Sequence, residues 1–458
     1  DELRAAAPAP AEHRPAPHEV ALLQLTSGST GVPRCIQETH QAVISYVHAS
    51  REVNQLAADD VALNWLPIDH VGALLMFHIR DLYLGCWQVQ ARTDMILAEP
   101  LAWLDLIERF GVTHTWSPNF GYKLLADRLA QEPARRWDLS SVRELLNGGE
   151  QVTLPVVREF LERVAPFGVA PAAMQPAYGM AETCTAMTHA RAFGLESGFN
   201  AFEKRSLAGQ LRRAAPGDPD AAIFVAVGPP NPGVQIRIAD AANQTLPEGV
   251  IGRLQVKGAI VTPGYLNNPE ANAEAFTSDG WFYTGDLGML LDGQLTITGR
   301  EKEVIIINGA NYYCYEIEDV IRRVDGVDIT SVGVCEVDDP HSGSEGIAVC
   351  FVPTVAAAAA RLEVVRAIRA RMVASFGLNP AAIVPLTREQ FPKTTSGKIQ
   401  RLQLKAALAD GQFAEALKAL DLQLENHNTL PGWFFRRRWR PRRLRATRGA
   451  AVGQVLLL

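Results

Sequence analysis

The sequence predicts an α/β protein, a large domain of layered helices and strands followed by a small α+β domain. Three observations carry that expectation. From residue 19 to about 298, apolar strand-like runs alternate with helical stretches such as Leu101–Phe110 and Val156–Val164, the pattern of a largely parallel sheet covered by helices. Residues 301–405 then bring their own strands (Val332–Val337, Gly346–Val352) and helices (Glu316–Val324, Arg361–Phe376). Near the start, the apolar run Val20-Ala21-Leu22-Leu23-Gln24-Leu25, which reads as a buried strand, runs straight into a polar turn, Thr26-Ser27-Gly28-Ser29-Thr30-Gly31-Val32-Pro33-Arg34.

At 458 residues there is chain enough for two or three cores. A composition of 47% hydrophobic and 21% charged residues, with net charge −6, gives no reason to expect nucleic acid or membrane as a partner. Six scattered cysteines (Cys35, Cys86, Cys184, Cys314, Cys335, Cys350) show no metal-ligand spacing. They fit reduced thiols in a cytoplasmic protein. No apolar stretch has the length of a membrane span, and no signal peptide is visible. The chain opens on Asp1 and closes on Val455-Leu456-Leu457-Leu458, so both ends read as cut from something longer.

Taken in order, residues 1–18 read as an Ala/Pro-rich linker. In the Thr26–Arg34 turn, two glycines and four hydroxyls let backbone and side chains close on phosphate oxygens, and Arg34 adds a planar cation. A triphosphate is its natural guest, although Ser/Thr/Gly clusters are also common turns with no ligand. The Gly-Lys-Ser/Thr ending of a Walker loop is missing. Residues 195–222 read as a polar surface excursion, and Val234–Gly299 as glycine turns and strands. From 406 the chain is helical, then basic and aromatic from Trp433 to Trp439.

Four further segments carry chemistry. Tyr178-Gly179-Met180-Ala181-Glu182-Thr183 offers an aromatic face for adenine and a carboxylate for Mg2+. Tyr283-Thr284-Gly285-Asp286-Leu287-Gly288 presents one carboxylate at a strand end, suited to two ribose hydroxyls. Gly299-Arg300-Glu301-Lys302-Glu303 joins the two domains with alternating charge. Phe391-Pro392-Lys393-Thr394-Thr395-Ser396-Gly397-Lys398-Ile399 sets Lys398 just after a Ser-Gly turn. Singly, Tyr178 can be a core aromatic, Asp286 a turn former, Arg300 a surface ion pair and Lys398 a solvated cation. The five segments in this order and spacing outweigh those separate readings.

With these motifs, the chain from about 19 to 405 resembles the acyl-adenylate-forming superfamily: acyl-CoA synthetases, peptide-synthetase adenylation domains and luciferases. The resemblance implies a large multilayer domain (19–299, truncated at its start), a small mobile lid domain (300–405) and a helical, Arg-rich linker (406–458). It also implies a carboxylic acid substrate, ATP with Mg2+, and a thiol acceptor. By motif, the Thr26–Arg34 loop cradles the leaving phosphates, and Gly148-Gly149-Glu150 lines the adenine and acyl pocket. Tyr178 and Gly179 meet adenine, Glu182 binds the metal, and Asp286 with Arg300 holds the ribose. Lys302 is implied as the hinge and Lys398 as the lysine of the first step.

Departures from the pattern refine the expectation. Arg34-Cys35 stands where lysine and glycine are usual, and Ala181 where many relatives have threonine. The Met-Ala-Glu form, with Ser206–Gly209 and Val225–Gly228, is similar to the fatty acyl-AMP ligases, which load the phosphopantetheine of an acyl carrier protein. Leu66-Pro67-Ile68-Asp69-His70-Val71-Gly72 matches the acyl-pocket motif, with Asp69 in place of the common aromatic. An ion there favours a small or polar acid. The alternative is that Asp69 caps a helix or pairs with His70 or Arg80. The tail resembles the lead-in to a ketoreductase subdomain of a polyketide synthase. The expected protein is therefore an adenylating domain of a polyketide or hybrid peptide synthase. The rivals are a stand-alone acyl-CoA synthetase, an amino-acid adenylation domain and a non-catalytic scaffold.

Overall fold

The computed structural model describes residues 14–26, 34–191, 193–203, 206–207, 210–215, 217–218, 221–307, 310–338, 345–394 and 399–424. Ser27–Pro33 of the phosphate turn, Lys398, and the basic stretch from Trp433 lie outside the described residues.

The chain opens on an antiparallel hairpin of β1 (Val20–Thr26) and β2 (Arg34–Thr39), with Thr26 directly opposite Arg34. The strand lies where it was expected, but it is not the buried strand the apolar run implied. Leu23 and Leu25 are 52% and 68% exposed, because β1 has only β2 beside it in a two-stranded sheet. Alternation along β2 drives Ile36 fully inward. Thr39 then caps the helix His40–Asn54, its hydroxyl accepting from the Ala42 N–H at 3.1 Å.

A six-stranded sheet follows, made of β3 (Val61–Asn64), β4 (Trp87–Gln90), β5 (His114–Ser117), β6 (Glu144–Asn147), β7 (Met174–Gly179) and β8 (Ala186–His189). Its order is β4-β3-β5-β6-β7-β8, parallel throughout except for β7 with β8. The helices Ala102–Phe110, Asn119–Gln131 and Leu154–Val164 make the crossovers that parallel pairing requires. Strands β5 and β6 are buried along their whole length, as a sheet covered on both faces demands.

A second six-stranded sheet contains β9 (Phe199–Glu203), β10 (Ala221–Gly228), β11 (Val234–Ala239), β12 (Gly252–Gly258), β13 (Phe282–Leu291) and β14 (Gln294–Arg300). Its order, β11-β12-β13-β14-β10-β9, is antiparallel at every pair. The largely parallel sheet expected to about residue 298 is thus confined to residues 61–189. Short connections of a few residues, such as Asp292-Gly293, return the chain at once and allow only antiparallel neighbours. The excursion at 195–222 also contains an unforeseen strand, β9, with Ser206 and Leu207 buried behind it. Both sheets contribute to one core, in which Val225, Val227, Leu254 and Leu295 of the second pack with Leu145, Leu146 and Met174 of the first.

Beyond Arg300, a hairpin of β15 (Val304–Ile307) and β16 (Ala310–Tyr313) precedes a three-stranded sheet. There β17 (Val327–Asp338) pairs antiparallel with β18 (Glu345–Pro353), which pairs parallel with β19 (Ala382–Pro385). Helices Cys314–Arg322 and Ala358–Phe376 cover this sheet. Helices Arg401–Ala409 and Ala414–Gln423 belong to the same body rather than to a linker starting at 406, since Leu404, Phe413 and Leu420 are buried in its cores. Among the described residues no helix is long and apolar enough to cross a membrane.

Candidate active site

Open α/β sheets bind ligands beyond the carboxyl ends of their parallel strands. Four segments singled out from sequence meet at that edge. Leu66–Gly72 follows β3, Gly148–Glu150 follows β6, and Tyr178–Thr183 ends β7 and turns through a short 3-10 helix. The fourth comes from the second sheet, where register sets Asp286 of β13 opposite Arg300 of β14.

These last two close on Tyr178. Its hydroxyl donates to one Asp286 oxygen, and the Arg300 Nε lies 3.3 Å from the other. Asp286 is therefore a mid-strand residue of β13 rather than a strand-end one, oriented by a tyrosine and an arginine. Burial first, and Asp286 second, push the Tyr178 phenol well above its ordinary range, so it stays a donor. The Arg300 side chain remains 52% exposed, leaving donors of its fork to face a ligand. Gly179 next to Tyr178 is obligatory, since a Cβ there would come within 1.8 Å of the Thr185 carbonyl oxygen.

Glu182 sits behind this pair, 8% exposed. The Tyr265 hydroxyl donates to its Oε1 at 3.0 Å, and the Arg34 guanidinium lies 5.0 Å over the Tyr265 ring. Burial raises the Glu182 carboxyl despite Tyr265, Arg300 and Arg34. A buried acid so weakly compensated fits a cation brought in with phosphates. Mg2+ keeps waters and phosphate oxygens as most of its ligands and takes one or two carboxylates, so a single glutamate matches its habit.

Glu150 accepts from the Phe120 N–H at 2.6 Å, and Gly149 before it holds φ +87°, a conformation glycine adopts without strain. From the small body, Lys393 reaches toward the same region. It donates to Thr330 and Ser331 at 3.1 and 2.8 Å, and Glu150 is among the charges it senses.

The acyl-pocket motif is placed differently from expectation. Asp69 is exposed, and its backbone carbonyl accepts from the Gln24 amide at 2.9 Å. It neither caps the following helical turn, Gly72–Ile79, nor pairs with Arg80, whose partner is Asp81. An exposed carboxylate incurs little desolvation cost, so the argument that Asp69 selects a polar acid fails. His70 does face inward, with its ring 5.5 Å from that of Trp116 and its Nδ1 accepting from the Gly72 N–H at 3.1 Å.

Sequence reasoning missed Tyr265, Glu38 and Cys184. Glu38 on β2 is fully buried, accepts from the Cys184 thiol at 3.1 Å, and burial pushes its carboxyl up to about 8. A charged residue within an apolar strand pattern, Cys35-Ile36-Gln37-Glu38, was the available signal. Tyr265 carried one too, in the turn Thr262-Pro263-Gly264-Tyr265, whose Leu266 N–H donates to the Cys35 carbonyl at 2.8 Å. Of the remaining residues, Thr26 and Arg34 face each other across β1 and β2, and Lys302 occupies the 3-10 turn Glu301–Glu303 between the two bodies.

Comparison with known proteins identifies the family of the chain. The profile of the family described as "AMP-binding enzyme" matches residues 1–266. The nonribosomal peptide synthetase apvA of Aspergillus terreus is 34% identical over 88% of this chain and 42% of its own length. Atromentin synthetase invA5 of Paxillus involutus is 32% identical over 90% and 43%. The chain thus spans about two fifths of these relatives. Among solved structures, an adenylation, ketoreductase and pseudo Asub multidomain structure of a keto acid-selecting NRPS module is 41% identical with TM-score 0.87, over 92% of this chain and 35% of that one. McyG A-PCP complexed with phenylalanyl-adenylate is 37% identical with TM-score 0.83, over 93% and 64%. Fatty acyl-adenylate ligases from E. coli and L. pneumophila give 28% and 0.80, over 90% and 74%. By profile, identity and fold together, the chain belongs to the AMP-binding, acyl-adenylate-forming enzyme family.

Proposed function

We propose that this chain activates a carboxylic acid with ATP and passes the acyl group to the phosphopantetheine thiol of an acyl carrier protein domain in a multidomain synthase. The observation that carries the reading is the convergence of Tyr178, Asp286, Arg300 and Glu182, from two different sheets, at the carboxyl edge of the parallel one.

In the first half-reaction the carboxylate oxygen attacks the α-phosphorus, the bond to the bridging oxygen breaks, and pyrophosphate leaves. Asp286 accepts from the ribose hydroxyls, Arg300 orients the nucleotide, and the Thr26–Arg34 turn holds the departing phosphates. Lys398 places its charge between carboxylate and α-phosphate, where preorganised charge lowers the barrier most. Glu182 would hold Mg2+, which would supply countercharge to those phosphates. In the second half-reaction the thiol sulfur attacks the acyl carbon, AMP leaves, and the thiol proton is lost to solvent. The small body turns about Lys302 between the two steps.

The relatives support a synthase context, and the keto acid-selecting module makes a keto acid the first substrate to test. Acid-dependent ATP–pyrophosphate exchange is the measurement, run with keto, amino and fatty acids and followed by acyl transfer to a carrier domain or to coenzyme A. Exchange with one acid class and transfer to the carrier domain is expected. Transfer to coenzyme A alone would make the chain an acyl-CoA synthetase, preference for an amino acid would make it an amino-acid adenylation domain, and failure with every acid would leave a scaffold.

A further inference from the structure

The segment between the two bodies is tied down on both sides of Lys302. Strand β14 stays paired to β13 as far as Arg300, and pairing resumes with β15 at Val304. Only Glu301-Lys302-Glu303 lies outside either ladder, wound as one 3-10 turn. Glu301 is bound backward to the second sheet, its Oε1 lying 2.8 Å from the Arg253 Nη2 and 2.9 Å from Nε. Its Oε2 accepts from the Tyr283 hydroxyl. The Arg253 guanidinium also sits 5.5 Å over the Tyr283 ring, so the three side chains brace one another.

Glu303 is bound forward to the small body. Its Oε2 meets Arg401 Nη1 at 2.8 Å, and its backbone carbonyl accepts from the Cys314 thiol at 2.9 Å. Arg401 is itself locked, with Nε and Nη2 at 2.7 and 2.8 Å from the two oxygens of the fully buried Glu318. Glu318 Oε1 also accepts from the Val334 N–H at 3.0 Å. Between these anchors Lys302 is exposed, and no hydrogen bond or ion pair holds its side chain among the described residues.

We infer that Glu301 and Glu303 are positioning residues that clamp the connector to opposite bodies and so confine the domain rotation to Lys302. The inference rests on the proposed reading of Lys302 as the pivot, and adds why the pivot is one residue wide. With one clamp released, the free stretch lengthens, the small body spreads over more orientations, and each productive one is less populated. Both half-reactions then slow together, while binding of ATP, built on the large body, is unchanged.

The test alters Arg253, which leaves the connector's own sequence intact. Limited trypsin digestion, with cleavage after Lys302 followed by mass spectrometry, needs no catalytic activity. Arg253→Ala should be cut there about ten times faster than the unaltered chain, Tyr283→Phe several times faster, and Arg253→Lys close to the original rate. An unchanged rate at Lys302 in Arg253→Ala, or equal acceleration at every tryptic site, would overturn the clamp. In the activity arm, kcat should fall severalfold for both pyrophosphate exchange and thioester formation, with KM for ATP unchanged. A raised KM with kcat preserved would instead show Arg253 acting through nucleotide binding, and would overturn the clamp as well. An unaltered chain without exchange activity would remove the proposed function, and the digestion would still decide the clamp.

Discussion

Two arginine–aspartate pairs in this molecule have the same chemistry and opposite surroundings. Arg80 and Asp81 meet at 2.7 Å with both side chains fully buried. Arg80 also donates to Ser50 at 3.3 Å, stacks over Phe77 at 5.0 Å, and leaves its Nη2 without a partner among the described residues. His114 stands 3.5 Å from the other Asp81 oxygen. Burial alone would raise the Asp81 carboxyl, but Arg80 and His114 hold it below the usual range. Arg300 and Asp286 meet at 3.3 Å with the arginine half exposed and the aspartate 9% exposed. The first pair faces only protein, whereas the second opens onto the edge where the Tyr178, Glu182 and Glu150 segments gather. A buried charge pair by itself is no sign of a site. The informative feature is a pair with donors still turned to solvent at a strand edge.

The comparison breaks first at the closed pair. Asp81→Ala leaves Arg80 charged and uncompensated, and should cost about 3–5 kcal/mol of stability, read as a lower midpoint in urea. A loss below about 1 kcal/mol would show that Glu144, the other carboxylate whose charge Arg80 senses, takes over as its partner. At the open pair the effect should fall on activity. Asp286→Ala removes charge-assisted hydrogen bonds worth about 1.5–3 kcal/mol each, so pyrophosphate exchange should drop by tens- to hundreds-fold with the urea midpoint near its original value. Unchanged KM and kcat for ATP in a folded variant would reduce Asp286 to a structural residue of β13.

Glu38 tests the intermediate case, a buried acid with no cation against it. Its folded value of about 8 lies above the ordinary 4.5, so the folded state holds the proton more tightly than the unfolded chain. The stability it contributes is full below about pH 4.5 and is lost as pH rises toward 8. At about 1.4 kcal/mol per pH unit, some 2 kcal/mol should disappear between pH 6 and 7.5. Glu38→Gln should flatten that slope in urea titrations at the two pH values, and a slope kept by the variant would assign it to another group. The smallest expected effect is at Tyr178→Phe, which removes one orienting hydrogen bond to Asp286 and should lower exchange about fivefold, equivalent to about 1 kcal/mol. A loss as deep as that of Asp286→Ala would mean that the tyrosine contacts the substrate itself.

Some of this was readable in one dimension. The helices read at Val156–Val164 and Arg361–Phe376 and the strands read at Val332–Val337 and Gly346–Val352 fall within Leu154–Val164, Ala358–Phe376, β17 and β18, because their apolar spacing is set by local geometry. The motifs around Tyr178, Glu182, Asp286 and Arg300 were found because glycine turns and isolated charges stand out against apolar runs. Three things were not readable. Exposure of Leu23 and Leu25 depends on how many strands stand beside β1. The inward or outward course of Asp69 depends on how the turn after β3 leaves the sheet. The clamp partners Arg253 and Glu301 lie 48 residues apart and meet through strand pairing.

By itself, then, the sequence determined which chemical groups are present, their order along the chain, and the local conformations of the segments that carry them. Only the tertiary structure decided which charges are closed off, like Arg80 with Asp81, and which are open, like Arg300 with Asp286. The reason is physical. Helix and strand propensity act between residues a few positions apart, whereas burial, ion pairing and the proton affinity of Glu38 depend on neighbours brought near by sheet register and packing across the whole fold.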